Sequence, residues 1–137
     1  MSRAGVLDAH PELKIMLHHD LLRDKGILVL TPEGALRAED FTALAAVVDP
    51  YIEQQGGLKG LLLEAPSFPG WEDFAALVSH LRFVRDHHRQ VHRIAVVTGS
   101  ALLAAAPKIA NHFVSAEIRA FDADARSAAL AWIEAGS

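Results

Sequence analysis

"LKGLLLEAPSFPGWEDF", residues 58–74, joins an apolar run to a corner of prolines and glycine, and that corner to an acidic helix start. The run from about Leu58 to Ala65 is short and centred on Leu61–Leu63, the form of a buried strand. Beyond the corner, Phe74, Leu77, Val78, Leu81 and Val84 recur at helical spacing and predict a second helix from Trp71, with Glu72 and Asp73 complementing the positive end of its dipole. "HRIAVVTG" (92–99) is a further buried strand. A strand, a helix and another buried strand in succession imply a right-handed crossover and parallel pairing.

Upstream, residues 13–19 alternate, with Leu13, Ile15 and Leu17 on one face and Lys14, Met16 and His18 on the other, the period of a half-buried strand. Asp24 and Gly26 supply turn chemistry before "ILVLT" (Ile27–Thr31), so the two strands pair as a hairpin. Phe41, Leu44, Ala45, Val48 and Ile52 then form one stripe of a helix over about 38–54 that "QQGG" ends. Pro50 removes a hydrogen bond inside it and predicts a kink or local break. Downstream, Ser100 caps a helix through "ALLAAAPKIANHF", which contains Pro107, and "SAEIRAF" is the last strand. Asp122 or Asp124 is expected to cap a final helix with Ala125, Ala129, Trp132 and Ile133 on one face and Gly136 at its end. The expected fold is α/β, ordered β-β-α-β-α-β-α-β-α, with a mostly parallel sheet and an N-terminal hairpin.

A chain of 137 residues, 51% hydrophobic and 22% charged, suits one domain with its own core, preceded by a loosely ordered tail over residues 1–10. The net charge of −4 argues against nucleic acid, whose phosphates call for a basic excess. There is no cysteine, hence no disulfide framework or thiolate chemistry. The start "MSRAGVLDAHPELK" lacks the apolar region of a signal peptide, and no apolar run approaches the roughly 18 residues of a membrane span. The expectation is a cytoplasmic protein.

"AEDF" (38–41), the F-x-G-W of Phe68 to Trp71, "RIAVVTG" (93–99) and "AEIRAF…AALAWI" (116–133), in this order and spacing over about residues 10–135, resemble the SpoIIAA-like family, small bacterial domains related to STAS and Sec14-type domains. The resemblance implies a STAS-like α/β domain. Among the relatives it brings to mind are anti-sigma factor antagonists, switched by phosphorylation of a serine at a helix start, and Sec14-type lipid carriers. Where those antagonists carry an Asp-Ser pair, this chain has Pro69-Gly70-Trp71-Glu72-Asp73, with only Ser67 nearby. Relatives place Thr or Ser before "AED"; here Arg37 stands at that cap, so the helix's first N–H groups must find water or Glu33.

Two corners at the carboxyl ends of buried strands are candidate binding points: Ser67, Phe68, Gly70 and Trp71 in one, Thr98, Gly99 and Ser100 in the other. Each also has a structural reading. The prolines stiffen the first corner, Gly70 permits its turn and Trp71 packs over the sheet edge, while Ser100 serves as an N-cap. No nucleophile–base pair, nucleotide-binding glycine motif or nucleophile elbow accompanies the serines, so no catalytic residue is assigned. The eight histidines, with adjacent pairs at 18–19 and 87–88, lack metal-ligand spacing, and no metal or cofactor is expected.

"RFVRDHHRQVHR" (82–93) sets Arg82, Arg85, Arg89 and Arg93 beside three histidines. It reads either as a patch for anionic headgroups or an acidic partner, or as cations suited to a helix C-terminus. Phe83 falls off the Phe74/Leu77/Leu81 stripe and is expected to face outward as a homodimer contact. The combined expectation is a non-enzymatic binding or regulatory module acting on a protein partner or on itself as a homo-oligomer. The alternative is a domain for a small apolar ligand or lipid.

Overall fold

The computed structural model describes residues 16–136, so the N-terminal tail and positions 13–15 of the first strand lie outside the described residues. Five strands form one sheet in the order β1-β2-β3-β4-β5. These are β1 (Leu17–Leu22), β2 (Ile27–Pro32), β3 (Leu58–Glu64), β4 (Val91–Val97) and β5 (Glu117–Phe121). The first pair is antiparallel, a hairpin with Leu22 opposite Ile27, and the other three pairs are parallel. Gly26 turns the hairpin at φ 69°, a left-handed conformation that suits glycine. The α/β fold with an N-terminal hairpin and a mostly parallel sheet is the one expected.

Four helices complete the chain: α1 (Ala38–Gln55), α2 (Phe74–His87), α3 (Ala101–Ala110) and α4 (Arg126–Ala135). Alternation along the strands divides the core between the two faces of the sheet. Leu28, Leu30 and Leu58 bury themselves with Phe41, Leu44, Val48 and Ile52 beneath α1, and Phe83 and Trp71 join that cluster. On the opposite face Val29, Leu62, Ala95 and Val97 meet Ala129 and Ile133 of α4. Gly60 permits that contact: a Cβ there would stand 2.1 Å from Ile133 Cγ2.

Local chemistry departs from expectation at several points. Helix α1 continues through Pro50 as one element, with no break. At its start Asp40, the third helical residue, reaches back across the cap: its carboxylate, 1% exposed, accepts the backbone N–H groups of the cap residue Arg37 and of Met16, each at 2.8 Å. Helix α2 begins at Phe74 rather than Trp71, because Asp73 is its N-cap and accepts from the Ala76 N–H at 2.9 Å. Neither Asp122 nor Asp124 caps α4; Ala125 holds that position without a side-chain bond. Helix α3 stops at Ala110 and a turn over residues 111–113 follows, while β5 is shorter than expected, starting at Glu117.

Candidate binding site beneath the proline-rich corner

The two glycine-bearing corners lie at the same rim of the sheet, since Glu64 pairs with Val97 and the Ala65 N–H donates to the Val97 carbonyl at 3.1 Å. They are put to different uses. In the second corner Thr98 is buried, its Oγ1 accepts from the Ser100 N–H at 3.0 Å, and Ser100 Oγ accepts from the Leu103 N–H at 3.3 Å. Those hydroxyls close the turn and cap α3.

The first corner is a flap tied across the mouth of α1. Leu36 and Trp71 form a parallel bridge, with the Leu36 N–H donating to Gly70 at 2.8 Å and the Glu72 N–H donating to Leu36 at 2.7 Å. Gly70 adopts φ 76°, which a side chain would resist. Arg37 clamps the far end through Glu72 at 3.2 Å. Trp71 therefore turns inward instead of packing over the sheet edge. Its ring meets Phe68 edge-on at 5.1 Å, and its Nε1–H donates to His80 Nδ1 at 3.1 Å. Ser67 is exposed on the flap.

Beneath the flap lies a cavity of about 230 Å³ between the sheet, α1 and α2. Leu30, Leu61 and Ile94 form its floor, Phe41 and Phe83 one wall, and Phe68, Pro69 and Leu103 its outer side. His80 is the one polar side chain in that lining. Its ring stacks on Phe41 at 4.9 Å and 16°, and burial lowers its pKa from the ordinary histidine value, favouring neutral imidazole. Because Nδ1 accepts from Trp71, the neutral ring carries its proton on Nε2.

His80 was not singled out in the sequence, and the reason is instructive. Ala76, His80, Phe83 and His87 form one stripe of α2, and Phe74, Leu77 and Leu81 another, rotated by about a third of a turn. Composition favours the leucine stripe as the buried one, yet packing chooses the other. Phe83 turns in, 6.1 Å from Phe41, and stacks on His87 at 4.1 Å, which corrects the outward orientation expected for it. His87 in turn bonds Asp49 of α1 at 2.7 Å. A signal was present: aromatic and imidazole rings at i, i+3 and i+7 (His80, Phe83, His87).

On the displaced stripe Phe74 is 75% and Leu81 59% exposed, with Leu77 half-buried. Just beyond α2, His88 Nδ1 accepts from the Ser115 N–H at 2.9 Å in the segment leading to β5. Just beyond α3, Asn111 makes paired 3.0 Å bonds to Ile118 of β5. Helix α2 packs on α1 while α3 packs on β5. Leu102 and Ile109 of α3 and Phe113 of the turn after it are exposed as well; with Phe68, Phe74 and Leu81 they are the exposed large apolar side chains among the described residues.

The four arginines do not gather into one patch. Arg93 lies on the α4 face, over the Trp132 ring at 4.6 Å, and donates to Glu117 at 3.1 Å and to the Trp132 carbonyl at 2.6 Å. Arg85 pairs with its neighbour Asp86 at 2.9 Å, a contact that raises the arginine pKa and lowers that of the aspartate; Arg82 and Arg89 are exposed. Strand alternation and the sheet itself separate Arg93 from the arginines of α2. Among the described residues no three His, Cys, Asp or Glu side chains cluster as metal ligands, and no helix is long and apolar enough to cross a membrane.

A family model described as SpoIIAA-like matches residues 27–134, from β2 into α4. The chain belongs to the SpoIIAA-like family. The matched span contains the flap, the cavity-lining residues of α1 to α3 and the six exposed large apolar side chains. Among solved structures, an uncharacterized protein from the DUF3478 family with a SpoIIAA-like fold, from Shewanella loihica PV-4, superimposes on this SpoIIAA-like protein with a TM-score of 0.64. The two are 19% identical, with 85% of this chain and 91% of that chain covered. Comparison with curated proteins gives no match.

Proposed function

We propose that this SpoIIAA-like protein is a non-enzymatic regulatory binding module in which the exposed apolar sides of α2 and α3 form one cleft that docks protein, with a second copy of the chain as its partner. The carrying observation is that the exposed large apolar side chains among the described residues, Phe68, Phe74, Leu81, Leu102, Ile109 and Phe113, all belong to the flap, to α2, or to α3 and the turn after it. Isolated exposed apolar side chains are ordinary on a monomer, whereas a contiguous apolar patch rimmed by polar residues is the usual mark of an interface. The surface is also self-complementary in kind. The Leu102/Ile109/Phe113 ridge of one copy offers apolar knobs to the groove of another, and a two-fold axis would bury both ridges at once.

The alternative of a lipid carrier is less well supported. A cavity of about 230 Å³ lies below the roughly 300–1,000 Å³ typical of sites for drug-sized ligands, and a long acyl chain needs more.

Sedimentation velocity over a concentration series tests the reading, with Leu81→Glu and Ile109→Glu as variants. The wild-type chain is expected to self-associate, and either variant to weaken association by about 10-fold or more, as expected when a charge enters an apolar contact. A photo-crosslinker at position 81, compared with one at Glu134 on the α4 face, gives a second readout in extract of the source cells. A monomer with no cleft-specific adduct overturns the proposal. A monomer that cross-links another protein at position 81 overturns self-association and retains docking.

A further inference from the structure

We infer that the cavity beneath the flap is a binding site for a small neutral molecule with an aromatic or compact aliphatic body and one hydrogen-bond acceptor, which His80 Nε2–H receives. This goes beyond the docking reading, because it concerns the space under the flap and not the cleft outside it.

Three observations carry it. The first is size: an apolar cavity of about 150 Å³ holds benzene, so about 230 Å³ takes a ring with a short substituent and excludes long chains. The second is the lining, which is apolar apart from His80. Such a surface disfavours a charged ligand, since nothing in it would compensate the desolvation of an ion.

The third is the state of His80 itself. Trp71 occupies Nδ1 and Phe41 covers one ring face, so the tautomer and the ring plane are both held before any ligand arrives. Nε2 has no protein partner among the described residues, yet it is absent from the buried, unsatisfied groups, where His19 Nδ1 stands alone. It therefore keeps some exposure, on the residue that is the one polar member of the cavity lining. A pre-oriented donor in an apolar lining is the usual composition of a small-molecule site, where a few fixed polar groups select orientation.

Acetophenone and ethylbenzene serve as probes, nearly the same size and differing in the carbonyl, with benzoate as the charged control. Binding to the full chain is followed by methyl NMR shifts at Leu30, Leu61 and Ile94. Both neutral probes are expected to shift these methyls and benzoate to leave them unmoved. In His80→Phe the affinity ratio of acetophenone to ethylbenzene is expected to fall about 3- to 10-fold, the worth of one hydrogen bond. Leu63→Phe, which narrows the cavity from β3 and not from the helix that carries His80, is expected to weaken both probes together and covers the case in which the His80 variant does not fold.

Absence of methyl shifts with either neutral probe overturns the site. An unchanged ratio in folded His80→Phe, or tight binding of benzoate, overturns the role given to His80. Leu81→Glu is expected to leave probe binding intact, because Leu81 does not line the cavity, so failure of the docking proposal is read separately.

Discussion

Replacing His80 with Phe should remove a specific part of the protein's acid sensitivity. Burial lowers the folded-state pKa of His80 below its ordinary value of 6.5. Between the two values the unfolded chain binds a proton that the folded protein refuses, so stability rises with pH across that window. Above pH 6.5 the contribution is intact. As pH falls below 6.5 it declines by up to about 1.4 kcal/mol per pH unit, and it levels off once the folded-state pKa is passed. From pH 7.5 to pH 5.5 the expected loss from this one group is therefore at most about 1.4 kcal/mol. Phe keeps an aromatic ring to stack on Phe41 but leaves Trp71 Nε1–H without its acceptor, a baseline cost of about 1–3 kcal/mol at any pH. Urea unfolding of both proteins at the two pH values separates these effects. The other histidines are common to both, so the difference of differences isolates His80. Parallel declines in wild type and variant would refute the neutral, buried imidazole and with it the tautomer assignment.

Four further outcomes follow from the packing. Gly60→Ala places a methyl 2.1 Å from Ile133 Cγ2 and 3.0 Å from the Arg93 carbonyl, and should lower stability by about 1–3 kcal/mol in thermal melts. Gly56→Ala, which meets nothing within 4 Å but sits at φ 88°, should cost only about 1–2 kcal/mol through backbone strain. Asp40→Ala should cost about 3 kcal/mol or more in urea unfolding, because two backbone N–H groups lose a charged acceptor in a buried setting; a value near that of an ordinary surface substitution would show those groups to be solvated. A double-mutant cycle on Arg37 and Glu72 should give a coupling of only about 0.2–1 kcal/mol, since the carboxylate is 52% exposed, so the flap is held chiefly by its backbone bridge.

Much of this architecture is local in origin and therefore legible in order along the chain. The stretches 27–30, 61–63 and 94–97 are apolar without interruption because those strands are covered on both faces, and the sheet order follows from helices placed between them. Ser100 is likewise a local device, and its N-cap bond depends on neighbours three residues away. Asp40 could not be recognised, because one of its two partners is Met16, which the fold brings from another element.

The candidate site was legible only at its edges. Phe68, Gly70 and Trp71 stood out through the proline-rich corner, yet their partners His80 and Phe41 lie on two different helices. The decisive case is α2, whose sequence carries two stripes about a third of a turn apart. Periodicity establishes that this segment is a helix and leaves its rotation open, since both stripes satisfy the same spacing. Tertiary packing decided it: Phe41 and Asp49 of α1 engage His80, Phe83 and His87, leaving Phe74 and Leu81 of the leucine stripe exposed. The amino-acid order thus determined which segments pair and cross over, because those preferences act between near neighbours; which side of a helix is buried depended on rings and carboxylates supplied from far along the chain.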